Sequence, residues 1–173
     1  VAAGVGLLLT GPQGTGKTFL AALVLKELLQ KGFSGTMLDS AKLVTAYMNT
    51  WDRVIGTRAK AKFDRDIRNV DILVVDDLAR ERQGGAHDQN SRSAAESGLE
   101  DVFRHRVQAC LPTIVTTNRS GTTLGEVYGS HITTVLQECS IEVDFTGANG
   151  RPETKNRTLT ETKAGVTRPI FYG

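Results

Sequence analysis

The eight residues "GPQGTGKT", Gly11 to Thr18, hold the densest chemistry in the chain. Their spacing, G-x-x-x-x-G-K-[ST], suits a nucleoside triphosphate when a strand precedes it and a helix follows. Glycines let backbone N–H groups curl around phosphate oxygens, and the N-terminus of the following helix adds partial positive charge. Lys17 would reach the β- and γ-phosphates, and the Thr18 hydroxyl would ligate Mg²⁺. Gly11, Pro12, Gln13, Gly14, Thr15, Gly16, Lys17, Thr18 and Phe19 form the expected binding set. The bland alternative is a Gly-rich turn before a helix.

A triphosphate site also needs an acid on the metal side, and "ILVVDD" (Ile72–Asp77) supplies two. Asp76 closes an apolar strand at the carboxyl edge, where ligands sit in open α/β sheets. It is expected to hold Mg²⁺ through water. Asp77 is the candidate for orienting the attacking water. Many phosphate-loop ATPases have Glu there, and Asp is one methylene shorter, which predicts slow hydrolysis or a site completed by a neighbour. Asn118 ends the strand "TIVTTN". Its amide both donates and accepts, which suits a place between γ-phosphate and water. Asn118 falls beside Asp76 if its strand lies between the other two. As alternatives, the acids are a solvated strand end and Asn118 opens a turn.

These residues need a scaffold, and the apolar pattern predicts one. Strands are expected at Val5–Thr10, Gly35–Ser40, Asp71–Asp77, Leu111–Asn118 and Ser140–Phe145. A helix from Lys17 to Lys31 should stop at Gly32. Ser40 should cap a second helix running to Asn49. Residues 51–69 read as charged and helical, residues 80–93 as a polar loop, Ser93–Ala109 as a helix, and Thr122–Glu138 as one or two short helices. Near-continuous apolar strands alternating with helices imply an α/β fold with a parallel five-stranded sheet covered on both faces.

The chain has 173 residues, 39% hydrophobic and 23% charged, which fits one globular domain with a real core. A net charge of +2 requires any nucleic-acid site to be a local patch. Cys110 and Cys139 have no metal or redox spacing and are expected to be buried free thiols in a reducing, cytoplasmic setting. No apolar run approaches a membrane span, and no secretory signal is visible. Residues 1–150 make the expected core. Residues 151–173 read as a basic, Thr-rich tail or arm. The start at Val1, directly before a strand, suggests an upstream region.

Together, "GPQGTGKTFLA", "DILVVDDLARE", "LPTIVTTN" and "GEVYG" resemble the DnaC/IstB-like branch of AAA+ ATPases, which holds helicase loaders and transposition-helper ATPases. The resemblance spans roughly Gly6 to Arg151. It implies a P-loop NTPase fold of the AAA+ type, ATP and Mg²⁺ as cofactors, and assembly into rings or spirals. It also implies action on DNA or a replicative helicase, and an N-terminal partner-binding domain upstream. By this likeness Lys17 and Thr18 are the Walker A pair, Asp76 and Asp77 are Walker B, and Asn118 is sensor 1. Glu81 closes a D-D-L-x-x-E pattern with an open role.

One departure from the branch bears on catalysis. Loaders show an Arg in a G-x-R pattern after "YG" and a second Arg one turn later. Here His131 and Val135 stand at those positions. A histidine poorly replaces a fixed guanidinium acting on a neighbouring subunit's nucleotide. Arg151 resembles the family's closing Arg and is the favoured γ-phosphate contact, with Arg104, Arg106 and Arg119 as others. Related loaders place a DNA-contacting helical element where "WDRVIGTRAKAKFDRDIRN" (Trp51–Asn69) lies. Arg58, Lys60 and Lys62 are its candidate contacts to single-stranded DNA. The alternative is a solvated helix laced with ion pairs. Trp51 is open between stacking on a base and packing.

The leading expectation is an ATPase working in DNA replication or recombination, most specifically a replicative helicase loader. Two rivals stay open at this level: a nucleotide kinase with residues 79–92 as lid, and a nucleotide-gated binding module with negligible hydrolysis. A GTPase is disfavoured because no N-K-x-D occurs.

Overall fold

The computed structural model describes residues 4–78, 89–119, 121–128 and 130–150. Five strands form one sheet: β1 (Gly6–Thr10), β2 (Gly35–Asp39), β3 (Ile72–Leu78), β4 (Thr113–Thr117) and β5 (Ser140–Asp144). Every pairing is parallel, and the order is β2-β3-β4-β1-β5. The strand tipped by Asn118 therefore lies between the acid-tipped strand and the strand feeding the Gly-rich loop. Helices α1 (Lys17–Gln30), α2 (Ser40–Met48), α3 (Gly56–Phe63), α4 (Gln89–Gln108), α5 (Gly121–Tyr128) and α6 (Ser130–Cys139) surround it. Among the described residues no helix is long and apolar enough to cross a membrane.

Strand pleating sends alternate residues to opposite faces, and two cores result. Leu8, Leu73, Val75 and Val115 pack with Leu43, Phe63, Leu99, Phe103 and Leu136. Leu9, Ile72, Val74 and Ile114 pack on the other face with Ala21 and Leu25 of α1. Helix α1 is apolar nearly all round, so Phe19, Leu20 and Leu23 stay exposed on its outer side.

Several local expectations change. Asp39, not Ser40, caps α2, because its carboxylate accepts the Lys42 N–H at 2.7 Å. Ser40 instead donates to the Asp77 carbonyl at 3.3 Å. Helix α4 begins at Gln89, so the end of the polar stretch is helical, extended from the apolar half of the helix that packs in the core. Residues 79–88, with Glu81, and the tail 151–173, with Arg151, lie outside the described residues. Cys110 is exposed rather than buried, at φ 53° in the turn after α4. Cys139 is half-buried, and burial pushes its thiol pKa up.

Arg106 is fully buried and cannot serve as a trans-acting arginine. Its guanidinium donates to the carbonyls of Ile67, Arg68, Val70, Asp71 and Pro112 at 2.8–3.3 Å. Its Nε donates to Thr113 Oγ1 at 2.9 Å. One side chain thus satisfies the chain entering β3 and the chain entering β4. Burial lowers the Arg106 pKa to about 10, opposed by the charge of Asp71.

Arg106→Met should cost about 3 kcal/mol or more, since it strands several buried carbonyls without a donor. Urea denaturation measures this. A loss under about 1 kcal/mol would mean those carbonyls find other donors.

Candidate active site

The carboxyl ends of β1, β3 and β4 open onto one cleft of about 880 Å³, of nucleotide size. The loop from β1 to α1 forms its floor. Gly14 sits at φ 85°, and a Cβ there would collide with Asn149 Oδ1. The Gly150 N–H donates to the Gly14 carbonyl at 3.1 Å. The segment after β5 therefore braces the loop, and only glycine fits at position 14. No side chain caps α1, and no acid lies in its first turn. Its N-terminal N–H groups and dipole favour an anion. Lys17 is 6% exposed and donates to the Gly11 and Pro12 carbonyls, each at 2.7 Å.

Above the loop runs a continuous hydrogen-bonded chain. Thr18 Oγ1 donates to Asp76 Oδ1 at 2.8 Å, and Thr116 Oγ1 donates to the same oxygen at 2.6 Å. The Asp77 N–H donates to Thr116 Oγ1 at 2.9 Å. Asn118 Nδ2 donates to Asp77 Oδ1 at 3.0 Å. Gln13–Phe19 of the loop, Asp76, Asp77 and Asn118 line this one cleft, and Gly11 and Pro12 lie at its floor through their carbonyls to Lys17. One hydroxyl and one carboxylate beside a phosphate-binding floor fit Mg²⁺, which takes few protein ligands and completes its shell with phosphate and water. Among the described residues no cluster of three His, Cys, Asp or Glu side chains forms a metal cage.

Asp77 sits at φ 58°. Left-handed backbone tolerates Asn and Asp far better than longer or branched residues. The backbone at this position favours a short acid.

Sequence reasoning missed Thr116 and Ser40. Nothing in the sequence separates Thr116 from Thr113 and Thr117, the other threonines of β4. The alternative arginines differ in fate. Arg104 pairs with Glu100 at 2.7 Å. Arg119 follows Asn118, and its Nε is buried with no hydrogen-bond partner among the described residues. His131 is exposed on α6, and Val135 is 8% exposed in the core.

The basic stretch lies away from the cleft as α3 and a π-helical turn, Asp64–Arg68. Arg58, Lys60 and Lys62 are all exposed. Arg58 and Lys62 are four residues apart and share a helix face. Lys60 lies 4.0 Å from Asp64. Arg65 pairs with Asp66, and Arg68 with Asp64 and Asp101. The ion-pair description therefore holds for the end of the stretch. Asp52 accepts the Ile55 and Val54 N–H groups, which hold its carboxyl below the usual range. The resulting turn leaves Val54 91% exposed. Trp51 packs edge-on against Tyr47 at 5.1 Å between centroids, yet is 59% exposed.

The sequence matches, over residues 7–129, the family described as the ATPase family associated with various cellular activities (AAA). Spastin of Sus scrofa is 35% identical over 97 residues, covering 55% of this chain and 15% of spastin. The replicative helicase loader DnaC of Escherichia coli (strain K12) is 38% identical over 69 residues, covering 40% of this chain and 27% of DnaC. The matched regions are thus under a third of either relative's length. The crystal structure of the DnaC helicase loader superposes with a TM-score of 0.65 at 24% identity, covering 83% of this chain and 80% of that chain. At that identity the likeness is one of fold.

The positive φ of Asp77 predicts different costs for two substitutions. Asp77→Asn should leave stability nearly unchanged, while the β-branched Asp77→Val should cost about 1–2 kcal/mol. Equal urea midpoints for the two variants would remove the backbone as the reason for an aspartate here.

Proposed function

The chain belongs to the AAA family of ATPases, and from that premise we propose that it binds Mg²⁺ and ATP in the cleft over α1 and hydrolyses the nucleotide as the motor of a replicative helicase loader. The observation that carries this is the chain Thr18–Asp76–Thr116–Asp77–Asn118 beside buried Lys17. The open N-terminus of α1 and the Gly-rich loop bind the phosphates. The Lys17 ammonium exchanges its carbonyl partners for β- and γ-phosphate oxygens. Thr18 and Asp76 would hold Mg²⁺, which would neutralise charge building on the leaving oxygen.

Asp77 accepts a hydrogen bond from the attacking water and aligns its lone pair on the γ-phosphorus. Asn118 holds the Asp77 carboxylate in that orientation. The water oxygen bonds to the γ-phosphorus as the bond to the β,γ-bridging oxygen breaks. That electron pair leaves with ADP, and the water proton passes through Asp77 to solvent.

Similarity to a protein named as a replicative helicase loader supports a replicative helicase as partner, with assembly into a ring or spiral. Exposed Arg58, Lys60 and Lys62 on α3 support contact with the backbone of single-stranded DNA, which needs local cations and no sequence readout.

Lys17→Ala should abolish Mg²⁺-ATP binding in calorimetry. Asp77→Asn should bind nearly as the wild type does and turn over about 100-fold more slowly. Unchanged affinity in the first variant removes the site. Wild-type binding with no turnover at any protein concentration identifies a nucleotide-gated module instead.

Neutralising Arg58, Lys60 and Lys62 together should reduce the slope of log affinity for single-stranded DNA against log salt by about 2. An unchanged slope would make α3 a solvated helix.

A further inference from the structure

Consecutive residues of a regular strand point to opposite faces, yet Asp76 and Asp77 both line the same cleft. A β-bulge reconciles the two facts. Val75 pairs with Val115, and the next pairing joins Leu78 to Thr117. Asp76 and Asp77 together therefore oppose a single residue, Thr116. Two residues facing one define a bulge, and bulges re-aim side chains. The turn is completed by the φ of 58° at Asp77.

The polarity of Thr116 is fixed. A backbone N–H can only donate, so the Thr116 hydroxyl is the acceptor for Asp77. Its single proton is then committed to Asp76 Oδ1. The hydroxyl stands in for the ladder hydrogen bonds that the bulge interrupts. It ties the carboxylate on the metal side to the backbone of the acid on the water side. Thr116 is 2% exposed, so water does not readily take its place.

We propose that Thr116 is a positioning residue that locks the bulge and so aims Asp77 at the attacking water. This role rests on the hydrolytic function proposed above: Thr116 lines the cleft, but its hydroxyl is spent on Asp76 and the Asp77 amide, so it acts through them. Losing the hydroxyl frees the Asp77 amide, lets the bulge relax, and turns Asp77 away from Asn118. Phosphate binding by the loop and Lys17 is untouched, so the defect falls on turnover rather than affinity.

The test compares Thr116→Val, which keeps the shape and loses the hydroxyl, with Thr116→Ser, which keeps the hydroxyl. Thr117→Val is the control, because the Thr117 hydroxyl donates to the Leu78 carbonyl at 2.9 Å, accepts the Arg119 N–H at 3.2 Å and reaches neither acid. Three quantities are read: turnover, affinity for a β,γ-methylene ATP analogue, and hydrogen exchange of the Asp77 amide without nucleotide. In Thr116→Val turnover should fall about tenfold or more, analogue affinity should stay within about threefold, and Asp77 exchange should rise about tenfold. Thr116→Ser should restore all three, and Thr117→Val should leave turnover and Asp77 exchange unchanged. Wild-type turnover or wild-type Asp77 exchange in Thr116→Val overturns the proposal. So does a Thr116→Ser protein as slow as Thr116→Val, or a Thr117→Val protein equally slow. If Thr116→Val does not fold, a folded Thr116→Ser protein slowed tenfold is the overturning result, and one at wild-type values supports it. A wild type that never hydrolyses ATP fails the ATPase proposal, while Asp77 exchange still decides the role of Thr116.

Discussion

Two successive acids must face one cleft, and a regular strand cannot provide that. The bulge at the end of β3 is the geometric device on which the site depends. Its conditions are local and demanding. A short side chain is needed where the backbone turns left-handed at Asp77. A hydroxyl is needed on the facing strand, and β4 must lie next to β3. The strand order supplies the last condition by placing β4 between β3 and β1. The same order brings Asn118 within 3.0 Å of Asp77. It also brings Thr18, at the start of α1, within 2.8 Å of Asp76.

A device of this kind works only on a stationary frame. Two interactions far apart in sequence hold it. At the amino ends of the strands Arg106 joins the entries to β3 and β4 through backbone carbonyls and the Thr113 hydroxyl, so the two strands that form the bulge cannot slide against each other cheaply. At the carboxyl ends the Phe145 N–H donates to the Thr10 carbonyl at 2.8 Å, and Gly150 reaches Gly14. The segment after β5 thereby braces the phosphate loop from the side opposite the acids.

The outline of this arrangement is legible in the sequence. The apolar pattern places all five strands to within a residue or two, most plainly β1 and β3, where Leu7–Leu9 and Ile72–Val75 are unbroken apolar runs. The phosphate loop was legible because only certain residues permit its backbone. What escaped depends on contacts between residues distant in sequence. Thr116 looks like any strand threonine until the register with Asp76 and Asp77 is known. Arg106 reads as a surface charge near a helix end, and nothing local shows the carbonyls it satisfies. Asp39 and Ser40 are both good caps by residue type, and only the backbone decided between them. Cys110 was expected inside because it precedes an apolar strand, yet it occupies the left-handed turn that exposes it.

The departures at His131 and Val135 acquire a physical meaning from α6. Val135 lies in the core with Ile132 and Leu136. A guanidinium substituted there would have to enter an apolar interior unless the helix rotated. His131, one turn earlier, faces solvent. Helix α6 thus devotes its inner face to packing. An arginine contact to a γ-phosphate would have to come from another element. Arg119 directly follows Asn118, and its buried Nε has no hydrogen-bond partner among the described residues. Arg106, though central, is excluded because every donor position it uses is committed to the frame.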